Sequence, residues 1–410
     1  MGDIITESSQ GGGVHGLMTL AVKQAFFDAV KENLHNKGHS DLALRVAYNN
    51  LITLTGSASF GTLSALATAQ TANRPNPYFS SPGEFGQFMM ENAGRILPHH
   101  DNFFGKLFND PRQILAGVAG TTKFSNKPLK EIIEEVAGPN TMMADVEDDV
   151  MMTMTRVHPT FDALFAKSHI ARGESTSWNS SSEAARKNWI LAEVVLGSAS
   201  PTSYLPGVEL HNSARDDRTI VIDGGQSGWN NPTIPVLTEA AFIYGKEADS
   251  QSDCFVVDTR AHKGYTMPHN IIHLHWGTGD FNDGLSVKDA KKNTLLSMKS
   301  ALVSTSTQSV SRFSMRHGQQ SIKDYFHFDF KVDDIPKDIR PKDDFTLTSK
   351  EQLYRLSQAG LYAASELLSE QIQQAADLVA DAYIQKVEFE RAHPTTTYKD
   401  YLKSNSCEIE

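Results

Sequence analysis

Residues 51–63 of the 410-residue chain read LITLTGSASFGTL, and this stretch decides the fold. Its apolar start, Leu51–Thr55, predicts a strand, the small residues after it predict a sharp turn, and the pattern of residues 63–72 predicts a helix. The same order occurs at the N-terminus, where strand-like Ile4–Glu7 is followed by a glycine cluster and a helical pattern from Gly16 to Leu34. Repeated strand–turn–helix units predict a layered α/β fold with a mostly parallel sheet.

Further strands and a helical C-terminal segment are predicted beyond these units. The strand predictions are Met151–Arg156, Ala163–Ala166, Glu193–Leu196, Thr219–Asp223 and Asn270–Trp276.

At the C-terminus, Thr348 and Glu351 have the spacing of a capping box, and apolar periodicity follows to Ile384. Residues 348–391 are therefore predicted to form one or two helices packed on the rest of the chain. The predicted organisation is a main domain at 1–345 and a C-terminal helical segment at 346–410.

Composition excludes several functional classes. The formal charge is −11, with 38 Lys and Arg against 49 Asp and Glu, which argues against a nucleic-acid partner because phosphate contacts need clustered cations. The start, MGDIITESS, lacks the features of a secretory signal. We therefore expect a cytoplasmic or peripherally membrane-associated protein, with leaderless export as an effector left open. Only Cys254 and Cys407 occur, which predicts no disulfide framework.

Three small-residue clusters each follow a predicted strand. The first, residues 10–16, reads QGGGVHG. Consecutive glycines let backbone N–H groups converge, and the following helix adds its positive N-terminal end. This arrangement suits a phosphate or a developing oxyanion, although a glycine-rich turn without function has the same composition.

The second cluster is the turn after the Leu51–Thr55 strand. A nucleophilic serine on a strained strand-to-helix turn needs small residues two positions to either side. Ser59 meets that requirement, with Ser57 before it and Gly61 after it. A serine-rich helix N-cap would look similar.

The third cluster is Asp223-Gly224-Gly225, at the end of a predicted strand. Asp223 is either a turn former or a carboxylate that acts as general base for a nucleophile.

Taken in order, the three clusters resemble the patatin-like phospholipase family, whose pattern is D-G-G-G-x-[RK]-G, then G-x-S-x-G, then D-G-[GA]. The likeness extends over about residues 4–365. Other stretches that resemble the family are Ile96-Leu97-Pro98, residues 122–129, residues 198–206, Asn230-Asn231-Pro232 with Glu239-Ala240, and residues 277–280.

The resemblance implies a three-layer α/β fold and a lipid acyl hydrolase of phospholipase A type. It implies that Ser59 attacks the acyl carbonyl, that Asp223 is the general base, and that the N–H groups of Gly11, Gly12 and Gly13 form the oxyanion hole. No metal or organic cofactor is implied. The implied substrate is a phospholipid or other acyl-ester lipid, reached through peripheral membrane contact, and a protein activator is possible in this family.

The sequence departs from the family pattern at several positions. Gln10 replaces the usual Asp, and His15 stands where Arg or Lys is expected. The serine motif also admits two registers. If Gly56 is its first glycine, Ala58 occupies the nucleophile position; if Ser57 takes that place, Ser59 is the nucleophile. The steric rule favours Ser59, because the first register would put Phe60 where a small residue is needed.

The Ala58 register defines an alternative function. It describes a catalytically inactive patatin-like protein, natural or engineered, that binds lipid or a protein partner. A non-lipid esterase or acyltransferase that uses the same Ser–Asp pair is a third interpretation.

Two other groups of residues invite a metal hypothesis. His269, His273 and His275 lie at odd-numbered positions in and just before the predicted strand Asn270–Trp276 and would share one face, but satisfied core or rim histidines fit the pattern better. The acidic run at residues 145–149 could hold calcium, but a solvated loop is the simpler interpretation.

Overall fold

A computed structural model of the chain describes most of the predicted elements. The residues described are 2–74, 76–96, 124–173, 187–201, 204–212, 218–227, 229–245, 247–248, 256–258, 263–265, 267–268, 270–279, 322–342 and 348–405. Several positions discussed above lie outside the described residues, namely Leu97, Pro98, Thr122, Lys123, Thr202, Ser203, Cys254, His269, Asp280 and Cys407.

The described strands form one large sheet and one small sheet. The large sheet contains β1 (Ile4–Ser9), β2 (Leu54–Ser57), β3 (Val150–His158), β4 (Asp162–Lys167), β5 (Val208–Leu210), β6 (Thr219–Asp223), β10 (Ile271–Trp276) and β11 (Asp324–Phe328). The small sheet contains β7 (Glu247–Ala248), β8 (Val256–Asp258) and β9 (Lys263–Tyr265).

In the large sheet the strand order is β11-β10-β1-β2-β3-β6-β5, with β4 also paired to β3. The five strands from β11 to β3 are parallel, whereas β4, β6 and β5 pair antiparallel.

Eleven α-helices are described. They are α1 (Gly16–Asn36), α2 (Ser40–Arg45), α3 (Phe60–Thr68), α4 (Pro82–Ile96), α5 (Lys127–Ala137), α6 (Ser168–Ala171), α7 (Leu191–Ser198), α8 (Thr233–Tyr244), α9 (Lys350–Tyr362), α10 (Ser369–Ala392) and α11 (Tyr398–Asn405).

Helices cover both faces of the large sheet. Successive strand residues point to opposite sides, and apolar side chains on each side pack against helices. Ile5 and Ile272 face the larger core, which includes α1, α3, α4 and α9. Ile4 and Ile271 face a second core formed with α8 and α11. Each fully buried aliphatic side chain contributes roughly 1.5–3 kcal/mol. The predicted α/β class with a mostly parallel central sheet is confirmed.

Strand β3 brings the ends of β2 and β6 together. β4 occupies one edge of β3 along Met151–Arg156, so β2 and β6 must share the other edge. On that edge Ser57, the last residue of β2, lies opposite Met152, and Asp223, the last residue of β6, lies opposite Met154. Two residues along a strand span about 7 Å, so these two strand ends are close in space.

The prediction of a strand at Glu193–Leu196 is wrong, since these residues belong to helix α7. All but one of its eight residues are buried, so the helix has no polar face and its apolar run lacks a helical period. A short apolar run of this kind cannot be distinguished from a buried strand by periodicity.

The C-terminal residues form α9 and α10, joined by a π-helical turn at Ala363–Leu367, and then α11. The N-cap of α9 is Ser349, whose hydroxyl accepts the Gln352 N–H at 3.2 Å, rather than the predicted Thr348.

Helix α9 packs closely on α1: a Cβ at Gly360 would lie 2.7 Å from the Met18 carbonyl oxygen. The proposed boundary at residue 345 lies outside the described residues, and the division into two units stays a prediction.

Candidate active site

Ser59 lies at the turn between β2 and α3 in an unusual backbone conformation. Its φ is 50° and its ψ is −122°, and within the described part of the chain it is the one non-glycine residue with positive φ. Such a conformation costs about 1–3 kcal/mol and persists where the surroundings enforce it. Ser59 is half-buried, whereas Ala58 before it and Phe60 after it are buried.

The residues around Ser59 explain which positions must be small. A Cβ at Gly61 would lie 2.5 Å from the Ser9 carbonyl oxygen at the end of β1, so glycine is required there. Glycine is needed at position 56 because of a different contact: a Cβ there would lie 2.0 Å from Val236 of α8. The glycine two residues after Ser59 therefore relieves crowding at the turn, and Gly56 relieves crowding against a helix.

Ser198, at the end of α7, fixes the turn through hydrogen bonds. Its hydroxyl accepts the Ser59 backbone N–H at 3.3 Å and lies 2.8 Å from the Thr62 hydroxyl. It also donates to the Thr153 carbonyl oxygen of β3 at 2.8 Å. Ser198 is fully buried, so these bonds tie the turn to the sheet in a site without solvent.

Asp223 is brought next to Ser59. Its carboxylate accepts the Gly225 N–H at 2.8 Å and lies close enough to the Ser59 side chain to be influenced by it, and it is only 4% exposed. Burial raises the pKa of Asp223 to about 6, against the smaller lowering effects of the neighbouring Ser59 side chain and the Gly225 N–H. The carboxylate is therefore ionised at neutral pH but is a stronger base than an exposed Asp.

The glycine loop after β1 lies against Ser59 and Asn230. A Cβ at Gly11 would lie 2.5 Å from the Ser59 Cβ and 2.6 Å from Asn230 Oδ1, so glycine allows the close approach of three segments. Gly12 packs on Thr278, where a Cβ would lie 2.7 Å from the side chain. Gly13 has a φ of 55°, a conformation that favours glycine.

The glycine N–H groups are not equivalent. Gly11 is buried and its N–H donates to the Asn230 carbonyl oxygen at 3.2 Å, whereas Gly12 and Gly13 are partly exposed. The sequence predicts three donors for an oxyanion, but in this conformation the Gly11 donor is used within the protein. Helix α3 begins at Phe60, directly after Ser59, and adds the positive end of its dipole.

Sequence reasoning did not identify Ser198, Asn230 or Thr278 as parts of this site. All three lie in stretches that resemble the family, and that was the available signal. Their contacts to Ser59, Gly11 and Gly12 could not be deduced from the sequence, because each joins segments far apart in the chain.

The histidines of β10 are satisfied by hydrogen bonds in the core. His273 lies between the Thr6 and Ser8 hydroxyls, at 2.8 and 2.9 Å, and His275 Nδ1 lies 2.9 Å from the same Ser8 hydroxyl. Burial lowers the pKa of His273 to about 3 and holds that of His275 well below its usual range, so both rings are neutral. This agrees with the interpretation as core histidines.

The acidic run at residues 145–149 is only partly a solvated loop: Glu147 is exposed, but Asp149 is buried. Asp149 is buried and forms ion pairs with Arg172 and with Lys399 of α11. Asp148 accepts the Gln70 N–H at 2.7 Å, and burial raises its pKa to about 6. The expectation of a solvated loop fails at Asp148 and Asp149, because their partners Gln70, Arg172 and Lys399 come from other parts of the chain.

In the described ranges, no three His, Cys, Asp or Glu side chains are grouped so that they could bind a metal ion. Nor does any helix of that part of the chain have the length and apolar character to cross a bilayer.

No protein-family model matches the chain, and no curated protein matches it. Solved structures do match, among them the crystal structure of VipD from Legionella pneumophila. The identity is 9%, the match covers 99% of this chain and 85% of that chain, and the TM-score is 0.26. At this TM-score the similarity carries no conclusion about activity.

Proposed function

We propose that the chain is a lipid acyl hydrolase of phospholipase A type in which Ser59 is the nucleophile and Asp223 is the general base. The observation that carries the proposal is that the buried Asp223 carboxylate lies close enough to the Ser59 side chain for the serine to influence its pKa, at a turn where Ser59 has a φ of 50°. Strained backbone of this kind concentrates at functional sites, and it exposes the serine more than its neighbours.

The chemistry follows from this pair. Ser59 Oγ attacks the acyl carbonyl carbon while its proton passes to Asp223, and the carbonyl oxygen becomes an oxyanion. Collapse of this intermediate breaks the ester bond, and Asp223 returns the proton to the alcohol that leaves. Water, activated by Asp223, then hydrolyses the acyl-enzyme and releases the fatty acid.

The oxyanion is assigned to the N–H groups of Gly12 and Gly13, with support from the N-terminus of α3. Gly11 could contribute only after its N–H leaves the Asn230 carbonyl oxygen. The substrate class, phospholipid or another acyl-ester lipid, rests on the resemblance of the three clusters to the patatin-like family. Peripheral membrane contact and a protein activator are proposals of the same kind.

The engaged Gly11 donor also favours a second candidate, an inactive patatin-like protein that binds lipid or a protein partner. In that case Ala58, not Ser59, corresponds to the nucleophile position of the family. The fully buried Ala58 side chain does not support this register, since a nucleophile there would not reach substrate.

The two candidates are separated by labelling with a fluorophosphonate probe and locating the adduct by peptide mass spectrometry. An adduct on Ser59 that is lost in Ser59→Ala and Asp223→Asn, and retained in the control Ser64→Ala one helical turn further on, supports the hydrolase. Absence of label in folded wild-type protein supports the inactive candidate.

Product analysis defines the substrate. Release of fatty acid from phosphatidylcholine vesicles, with loss of release in Ser59→Ala, is expected for the phospholipase. Hydrolysis of short soluble esters alone would point to the non-lipid esterase.

A further inference from the structure

Asn230 contacts both loops that flank Ser59. Its backbone oxygen accepts the Gly11 N–H at 3.2 Å, and its side-chain Nδ2 donates to the Gly11 carbonyl oxygen at 3.0 Å. Both polar groups of Gly11 therefore bond to one residue. Asn230 is 8% exposed, so water does not readily replace these bonds.

The other side of the Asn230 amide faces the Asp223 loop. A Cβ at Gly225 would lie 3.0 Å from Asn230 Oδ1 and 3.1 Å from Asp223 Oδ1. The two oxygens thus approach the same point from different residues, with only the glycine between them. A side chain at Gly225 would separate Asn230 from the carboxylate.

We propose that Asn230 is a positioning residue that fixes the glycine loop against the Asp223 loop, so that Gly12, Gly13, Ser59 and Asp223 keep one geometry. The inference rests on the proposed function for its consequence in catalysis. That Asn230 holds the glycine loop against the Asp223 loop concerns the structure alone, and it can be tested without activity.

Hydrogen exchange tests directly whether Asn230 holds the glycine loop in place. In Asn230→Ala the Gly11 carbonyl loses its side-chain donor, and peptides covering residues 8–15 should exchange about tenfold faster or more. Peptides from α10, far from the site, should exchange as in the wild type. Unchanged exchange in residues 8–15 would overturn the proposal, whatever the protein does to lipids.

The pH dependence of labelling tests the coupling to Asp223. Asn230→Asp is nearly isosteric but places a second carboxylate near Asp223, which disfavours ionisation of both. The midpoint of Ser59 labelling against pH should rise by about half a unit to one unit. An unchanged midpoint would show that residue 230 does not lie beside Asp223, which would contradict the placement on which the proposal rests.

Asn231→Asp is the matched control. Asn231 is the next residue, but its amide contacts His275 at 3.2 Å and caps the Thr233 N–H at 3.0 Å. Its variant should leave the labelling midpoint in place. An equal shift in both variants would mean that general charge is responsible and would refute the specific role of Asn230.

If the wild type does not label at any pH, the proposed function fails but the positioning role does not. The pKa of Asp223 is then followed by carbon NMR of labelled aspartate, with Asp223→Asn to assign the signal. A higher pKa of Asp223 in Asn230→Asp, but not in Asn231→Asp, supports the role. An unchanged pKa contradicts it.

Discussion

Two buried carboxylates of this chain have opposite environments. Asp223, at the end of β6, has uncharged neighbours among the described residues: the Gly225 N–H donates to it at 2.8 Å, and the Ser59 side chain is near enough to lower its pKa. Glu239, in α8, lies 2.6 Å from Lys167 Nζ and 2.6 Å from His169 Nε2. Burial alone raises the pKa of both groups, but Lys167 and His169 hold the pKa of Glu239 at about 2, whereas that of Asp223 is about 6.

The difference means that Glu239 acts as a structural charge within an ion pair, whereas Asp223 is able to act as a base. The negative charge of the Glu239 carboxylate is balanced by its partners, so this group has little tendency to accept a proton. The Asp223 carboxylate keeps that tendency, since no cation contributes to its environment within the described residues. A base for Ser59 must resemble Asp223, and the folded protein is less stable for it.

The largest effect is expected from Asp223→Asn on activity. The amide cannot accept the Ser59 proton, so ester hydrolysis should fall by about 10⁴-fold, or ~5 kcal/mol. Glu239→Gln, which changes the other carboxylate in the same way, should retain activity in the molecules that fold. Initial rates on a soluble ester, corrected for folded fraction, measure both; a smaller loss in Asp223→Asn than in Glu239→Gln would remove the distinction.

The next effect concerns stability. Lys167→Met leaves the buried Glu239 charge without its ammonium partner, and we expect a loss of about 3–5 kcal/mol in the free energy of unfolding. The double variant Lys167→Met/Glu239→Gln should recover much of it, because the unpaired charge is gone.

Urea unfolding measures these values, and Lys130→Met, which breaks a partly exposed pair with Glu134, is the control, with an expected change of at most about 0.5 kcal/mol. If Lys167→Met were as mild as the control, the ion pair would not be what separates Glu239 from Asp223.

The pH dependence of stability should have opposite signs for the two groups. The folded-state pKa of Asp223 is raised from 3.8 to about 6, so its contribution to stability is present below pH 4 and is lost as the pH rises through 6. The loss is at most about 3 kcal/mol. The pKa of Glu239 is lowered from 4.5 to about 2, so its contribution is present above pH 4.5 and is lost towards pH 2.

Unfolding free energies of the wild type and Asp223→Asn, measured between pH 4 and 8, isolate the Asp223 contribution as their difference. That difference should grow with pH, with the variant the more stable protein at neutral pH. Activity should rise over the same interval, as the base ionises. A flat difference would mean that Asp223 is solvated.

The smallest effect is expected at Ser198, which supports the Ser59 side of the site without charge. Ser198→Ala removes the acceptor of the Ser59 N–H and the donor to Thr153, and should cost about 1–2 kcal/mol of stability. Ser59 labelling should slow by about tenfold, since the turn is less well fixed. The control is Ser200→Ala, which loses a hydroxyl bond to the Leu196 carbonyl oxygen. Equal labelling rates in the two variants would show that Ser198 does not position the turn.

Much of the fold could be predicted where structure depends on local chemistry. Strand Thr219–Asp223 and the helix from Gly16 follow from periodicity and from glycine positions. Helix α7 could not, because its burial on all sides removed the period. The burial of Asp149 could not, because its partners Arg172 and Lys399 come from other parts of the chain.

The sequence by itself determined the three clusters, their order, and the need for small residues beside a sharp turn, because these depend on the backbone of a few adjacent residues. Tertiary structure alone decided that positive φ falls on Ser59, that Asp223 meets it along the shared edge of β3, and that Asn230 binds Gly11. It also decided the pKa of Asp223, because the free energy of a charge depends on what surrounds it, and those neighbours are distant in the chain.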